Sequence, residues 1–268
     1  MVRPSALAVA VGMAAIVALA GTAVTGIAAA SAASPVSYVA LGDSYSSGDG
    51  AGNYSDGSCL QSANAYPVLW HSAHGGSFVN ETCAGATTSD VINGQLGPLS
   101  ASTTLVTITT GGNDVGFASV METCVLGSDS SCVSAIDQAE QQAQSTLPGT
   151  LDTVLSDIAS RAPNAKVVVL GYPQFYDLSK SSSCIGLSTT KRTHINQGAG
   201  VLDSVISAAA SRHGDTYANV NPDFAGHQIC DSSSYLISVD WFNLGDSYHP
   251  NASGQQHGYL AAVDSVTG

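Results

Sequence analysis

The sequence runs to 268 residues, with 7 Lys+Arg against 20 Asp+Glu and a formal net charge of −13. So acidic a chain repels phosphate backbones, which excludes nucleic acid as a partner class, and anionic membrane surfaces are poor electrostatic partners for it. Aromatic residues make up 6% of the chain, too few for an extended sugar-stacking platform.

The first segment, "MVRPSALAVAVGMAAIVALAGTAVTGIAAASAASP", carries Arg3 as its only charge and closes its Ala/Val-rich run on Ala30-Ser31-Ala32. The run is long enough to span a bilayer. Its small-x-small end, with no positive charge after it, is instead the pattern that signal peptidases cut. Residues 1–32 therefore read as a cleaved signal peptide, and the protein as exported, with no stable membrane insertion after cleavage. No cysteine precedes Cys59, so a lipid-attached N-terminus is not expected. About 235 residues then remain, which suits one domain with a sizeable core over residues 33–268.

Along that domain, apolar runs of strand type alternate with helical patterns. "SYVALG" is a buried-strand candidate, as are "TLVTITTG" (Thr104 to Gly111) and "AKVVVLGYP" (Ala165 to Pro173), with "DTYANVNP" (Asp215 to Pro222) a weaker fourth. Between them, Leu151, Val154, Leu155, Ile158 and Ala162 recur at helical spacing, as do Val201, Leu202, Val205, Ile206 and Ala209. A last amphipathic stretch carries Tyr259, Leu260 and Val263. Such alternation implies a parallel sheet covered on both faces, with ligands beyond the carboxyl ends of its strands. The segments Asn53 to Tyr66, Cys124 to Cys132 and Asp177 to Thr190 read as loops, stapled by the cysteines inside them.

The six cysteines, Cys59, Cys83, Cys124, Cys132, Cys184 and Cys230, fit an oxidising destination. Six allow fifteen pairings; pairing in chain order is the simplest. No Cys-x-x-Cys occurs, so neither a zinc ribbon nor a thioredoxin-type site is supported.

Four short segments carry candidate chemistry: Ser44 in "YVALGDSYSSG", Gly85 in "NETCAGATTSD", Asn113 in "TGGNDVG", and Asp246 with His249 in "GDSYHPNASG". A serine hydroxyl needs a base to become a nucleophile, and an imidazole near neutrality is the natural one. Only a fold can join Ser44 to His249, which lie far apart in the chain. Attack on an ester creates an oxyanion that needs N–H donors aimed at it in advance. The amide of Asn113 and the backbone N–H groups of Gly85 and Ser44 suit that task. Asp43 reads as support for the turn. Taken singly, each residue also has a plain structural reading: Gly85 as a turn glycine, Asn113 as an Asx-turn former, His249 as a surface residue.

In order and spacing the four segments resemble the GDSL, or SGNH, hydrolases. The likeness is greatest to secreted esterases, lipases and phospholipases A1 of actinobacterial type, which share the "YVALGDSYSSG" opening and the "YHPN" ending. The resemblance covers essentially the whole mature chain. It implies an α/β fold of three α/β/α layers, flavodoxin-like, around a parallel sheet. It also implies a Ser44 nucleophile, a His249 base and an oxyanion hole of Ser44, Gly85 and Asn113. Asp246 sits where the family often places the carboxylate that orients the imidazole. In some secreted relatives a backbone carbonyl does that work, and here the carbonyl of Ser247 is the candidate.

The expected activity is ester or lipid hydrolysis by a monomer, without metal or organic cofactor. Two alternatives stand beside it: a carbohydrate O-acetyl esterase on the same fold, and a disulfide-stapled binding module with a dead site. Other motifs fall short. Gly42-Asp-Ser44-Tyr-Ser46 lacks the final glycine of the α/β-hydrolase elbow. His71 and His74 lack the glutamate and spacing of a zincin, and "DGAGNYSDG" does not match an EF-hand loop.

Overall fold

The computed structural model describes residues 35–180, 184 and 186–268, together with residues 1, 2, 8 and 10. The leader expected over residues 1–32 lies almost entirely outside the described residues. The folded domain is the unit Pro35–Gly268, which is distinct from Met1–Ser34.

Five strands form its sheet: β1 (Ser37–Gly42), β2 (Ser77–Asn80), β3 (Leu105–Thr109), β4 (Lys166–Leu170) and β5 (Thr216–Ala218). All neighbours are parallel, in the order β2-β1-β3-β4-β5. The central strands are continuous apolar or β-branched runs, as expected where both faces are covered. Val39, Leu41, Val106, Ile108, Val168 and Leu170 are all buried. Strand β2 is an edge, and its burial alternates along "SFVN"; too short to read from the sequence, it forms because Ser37–Ala40 of β1 offers it a partner.

Six helices cover the sheet: α1 (Tyr66–His74), α2 (Phe117–Leu126), α3 (Asp129–Ser145), α4 (Leu147–Arg161), α5 (Thr189–His213) and α6 (Leu260–Thr267). Helices α1 and α6 pack on each other, while α3, α4 and α5 form a second group, completing three layers. The stripe from Leu151 to Ile158 is the buried face of α4. Helix α5 extends well before the stripe at Val201, because Ser188 caps it by accepting a hydrogen bond from the Lys191 amide.

Two loop readings need correction. Between Asn53 and Tyr66 the chain makes a small antiparallel hairpin, Tyr54–Asp56 with Gln61–Ser62. The Cys124 to Cys132 region is a corner between two helix ends. Helix α2 stops at Gly127, and Ser128 accepts from the Ser131 amide to start α3. The polar surface of α3 hid its helical period, which survives only in Cys132, Ile136 and Ala143. The cysteines pair in chain order, Cys59 with Cys83, Cys124 with Cys132, and Cys184 with Cys230.

The strand order turns back on itself between β1 and β3. The crevice beyond their carboxyl ends is where such sheets bind ligands, and both strands end there, at Gly42 and Thr109.

Candidate active site

At the end of β1 the backbone of Gly42 adopts φ +117° and runs so close to β3 that a Cβ there would sit 2.2 Å from the Thr109 carbonyl oxygen. Only glycine fits. The buried Gln95 side chain brackets this point by accepting from the Gly42 N–H (2.7 Å) and donating to its carbonyl (3.0 Å). The next residues, Ser44–Ser47, form a single helical turn that Asp43 caps by accepting from the Tyr45 amide at 3.0 Å. Ser44 is thus the first residue of a turn, where N–H groups lack intrahelical acceptors.

Asp43 is fully occupied in holding this turn. It also accepts from Thr109 Oγ1 (2.7 Å) and from the Tyr172 hydroxyl. Burial pushes its carboxyl up to about 6, against the pull of those hydrogen bonds. Tyr172 in turn accepts from the Gly112 amide at 3.1 Å. One phenol therefore joins the turn after β1 to the "GGND" loop after β3.

His249 reaches the same place from the far end of the chain. Its Nε2 lies 2.8 Å from Ser44 Oγ, and both residues are buried. Tyr248, just before it, is held at φ +68°, a strained conformation for a bulky residue. Hydrogen bonds over-determine it: its amide donates to the Ile237 carbonyl (2.8 Å), its own carbonyl accepts from the Tyr45 hydroxyl (2.8 Å), and its hydroxyl meets that of Tyr176 (2.9 Å). The chain held in this conformation brings the next residue's imidazole to the serine.

Asn113 lines the same pocket as Ser44. Its Nδ2 donates to the carbonyl of Ala86 at 3.0 Å, which sets it beside Gly85. That glycine takes φ +81°, and a Cβ on it would meet only open space, so its conformation rather than crowding calls for glycine. The amide of Cys83 donates to the Gly42 carbonyl at 2.9 Å, tying the Gly85 loop to the serine turn.

Asp246 is placed differently. Its carboxyl meets that of Asp49, while His249 Nδ1 is buried without a hydrogen-bond partner. The backbone carbonyls of Gly245, Asp246 and Ser247 lie against the ring and favour its charged form. Burial outweighs them and brings the imidazole down to about 4. At neutral pH it is therefore a free base. Asp49 was not singled out from the sequence. Its Oδ2 stands 3.8 Å from His249 Nε2, and burial first, then Asp246, push its carboxyl up to about 7.

From Ser44 and Asn113 an apolar cavity of about 70 Å³ runs between α2, α3 and α5, past Phe117, Met121, Ile136, Ala143, Phe175 and Leu202. That is several times the roughly 10–15 Å³ needed by one water-sized group. No cluster of three or more His, Cys, Asp or Glu side chains among the described residues is arranged to hold a metal ion.

Three buried carboxyls and one half-buried give a stability prediction. Asp43 and Asp215 are pushed up to about 6, and Asp49 and Asp203 to about 7, in every case chiefly by burial. A carboxyl whose folded pKa exceeds its unfolded one destabilises the fold when ionised, and this penalty fades as pH falls through the folded value. His249, shifted down, works in the opposite sense between its ordinary value and about 4. Four groups outweigh one, so Tm should be higher at pH 5 than at pH 7.5. A calorimetric Tm that falls steadily as the pH is lowered over that interval contradicts this.

The profile of the GDSL-like Lipase/Acylhydrolase family matches residues 40–257. The chain is 54% identical over 253 residues to Lipase 1 of Streptomyces coelicolor, covering 92% of this chain and 94% of that protein. It is 49% identical over 233 residues to a lipase of Streptomyces rimosus, covering 86% of each. Among solved structures, phospholipase A1 from Streptomyces albidoflavus superposes with a TM-score of 0.84 at 51% identity, over 87% of this chain and 99% of that one. The extracellular lipase of Streptomyces rimosus does so with a TM-score of 0.84 at 48% identity, over 87% and 100%.

Proposed function

The chain belongs to the GDSL-like lipase/acylhydrolase family, and we propose that it is a secreted serine esterase of acyl lipids working through an acyl-enzyme on Ser44. The observation that carries this reading is the 2.8 Å contact of Ser44 Oγ with His249 Nε2 at the head of an apolar cavity. Secretion rests on the leader read over residues 1–32, its proposed removal, the three disulfides and the extracellular lipase among the similar structures.

In the reaction, Nε2 takes the Oγ proton as the oxygen attacks the acyl carbon. The oxyanion faces the N–H groups of Ser44 and Gly85 and the amide of Asn113. His249 then protonates the leaving alcohol, and on the second half-reaction removes a proton from the water that releases the acid. The imidazolium formed at each step is stabilised by the backbone carbonyls of Gly245, Asp246 and Ser247 together, Ser247 being the alternative to Asp246 that the sequence offered. The Asp246 carboxyl, turned to Asp49, is assigned no direct contact with the ring.

An acyl cavity lined by Met121, Ile136 and Leu202 favours long acyl groups over acetate. Each buried methylene is worth about 0.8 kcal/mol, so kcat/KM on p-nitrophenyl esters should rise roughly fourfold per added CH2 until the cavity is full. An organophosphonate probe should label Ser44, and the Ser44→Ala protein should escape it. A panel in which acetate esters or acetylated xylan react fastest supports the O-acetyl esterase instead, and absence of labelling supports the dead binding module.

A further inference from the structure

The loop that delivers His249 also exposes the most apolar short stretch of the described surface. Trp241 is 65% exposed, Phe242 fully so, and Leu244 56%. Of the other large apolar side chains exposed on Pro35–Gly268, among the described residues, Tyr54 lies near Asp246 on the same side as this loop, while Val79, Leu126 and Leu178 stand on three separate elements. Scattered ones need no explanation, but a contiguous group does.

This loop is built rather than slack. Asp240 Oδ1 accepts from the amides of Phe242 (2.8 Å) and Asn243 (3.3 Å), and the Asp240 amide donates to Ser247 Oγ (2.9 Å). A 3₁₀ turn over Leu244–Asp246 comes next, and the His249 amide closes it on the Asp246 carbonyl at 3.2 Å. The hydrogen bonds turn the three apolar side chains outward while the same few residues present carbonyls to the catalytic imidazole.

We propose that Trp241, Phe242 and Leu244 form a docking surface that seats the enzyme, beside His249, on aggregated zwitterionic phospholipid. The proposal rests on the reading of Ser44 and His249 as the esterase site. Three features select this occupant. Trp with Phe and Leu is the composition that settles at a lipid–water boundary. The charged residues of the loop are Asp240 and Asp246, and no Lys or Arg follows Arg212 in the chain, so an anionic surface is repelled while the choline cation of a zwitterionic headgroup is accepted. A second copy of the chain fits poorly: Trp241 and Phe242 at about 150–250 Å² each, even with the smaller Leu244 added, fall short of the roughly 800 Å² per partner of a stable interface.

Tryptophan fluorescence can test this directly, because the chain has two tryptophans and Trp70 is buried, its indole donating to Thr267 Oγ1 at 3.1 Å. Full-length mature Ser44→Ala protein, unable to hydrolyse, is mixed with phosphatidylcholine vesicles carrying brominated acyl chains. The expected result is a blue shift and quenching of Trp241, at least tenfold weaker partitioning for Phe242→Ser in that background, and weaker partitioning to phosphatidylglycerol vesicles. In the active enzyme, Phe242→Ser should lower the ratio of vesicle to soluble-ester hydrolysis about tenfold. Absence of quenching overturns the proposal, as does an equal loss on both substrates, or a Trp241 shift that follows protein concentration without lipid and coincides with dimer in sedimentation. Quenching by a protein that hydrolyses no ester leaves this surface standing and removes the esterase reading. Hydrolysis of soluble esters without quenching does the reverse.

Discussion

Ser44→Ala and His249→Ala should each lower kcat on a soluble ester by on the order of 10⁴–10⁶-fold, and the double variant should be no slower than either. Nucleophile and base act as a unit: an unactivated hydroxyl is nearly inert, and a base with no proton to take does nothing. The 2.8 Å contact between them is the geometric condition for that unit. Removing the hydroxyl leaves a buried Nε2 unpaired, at a cost of about 1–3 kcal/mol in stability, too little to unfold a domain of this size. Far-UV circular dichroism should therefore be unchanged. Asp246→Asn belongs in the same series. Its carboxyl meets Asp49 rather than Nδ1, so kcat should stay within a few-fold of wild type. A loss of about 10⁴, the size expected when a triad carboxylate that orients the imidazole is removed, would mean that the aspartate swings onto the ring during turnover. Losses that multiply in the double variant would refute the paired mechanism.

What could be read from the sequence, and what could not, divides along a physical line. The strands at Tyr38, Val106 and Val168 are legible because a strand buried on both faces must be apolar throughout. The segments at Ser44, Gly85, Asn113 and His249 are legible because they lie where strands end or the last helix begins, and because their order matches a family pattern. The supporting residues leave no such trace. Gln95 clamps Gly42 across 53 positions, and Tyr172 holds Asp43 across 129; each is an ordinary residue until folding brings its partner near. Tyr172 alone carries a usable signal, since it lies just past the carboxyl end of β4, where the site of such a sheet is found. Asp49 and the strain at Tyr248 had none. The orienting role was open between Asp246 and the Ser247 carbonyl because the sequence names a carboxylate but does not say which way it turns. Helices α2 and α3 were missed for another reason: their buried face is narrow, and a disulfide does part of the work that a wider apolar stripe does elsewhere.

Asn113→Ala should lower kcat by roughly 10²–10³ with little change in KM. A primary amide has two N–H hydrogens. In the resting enzyme one is engaged by the Ala86 carbonyl at 3.0 Å, which leaves the other to turn toward the pocket it shares with Ser44. Its backbone is fixed independently, since the Gly116 amide donates to the Asn113 carbonyl and the Gly112 amide to Tyr172. Truncating the side chain therefore removes a donor without dismantling the loop. Asn113→Asp should be at least as slow, because a carboxylate brings negative charge to the place where the oxyanion forms. Phosphonate labelling of Ser44 should slow in parallel with kcat, as both pass through a tetrahedral anion. A variant that raises KM and leaves kcat within tenfold would make Asn113 a substrate contact instead. On the proposed assignment of Asn113 and Gly85 as oxyanion donors, the loss should fall toward the larger end of the range, because the Asn113 amide also anchors Ala86. Without it the neighbouring Gly85 would be less firmly held, so one substitution would weaken both proposed donors.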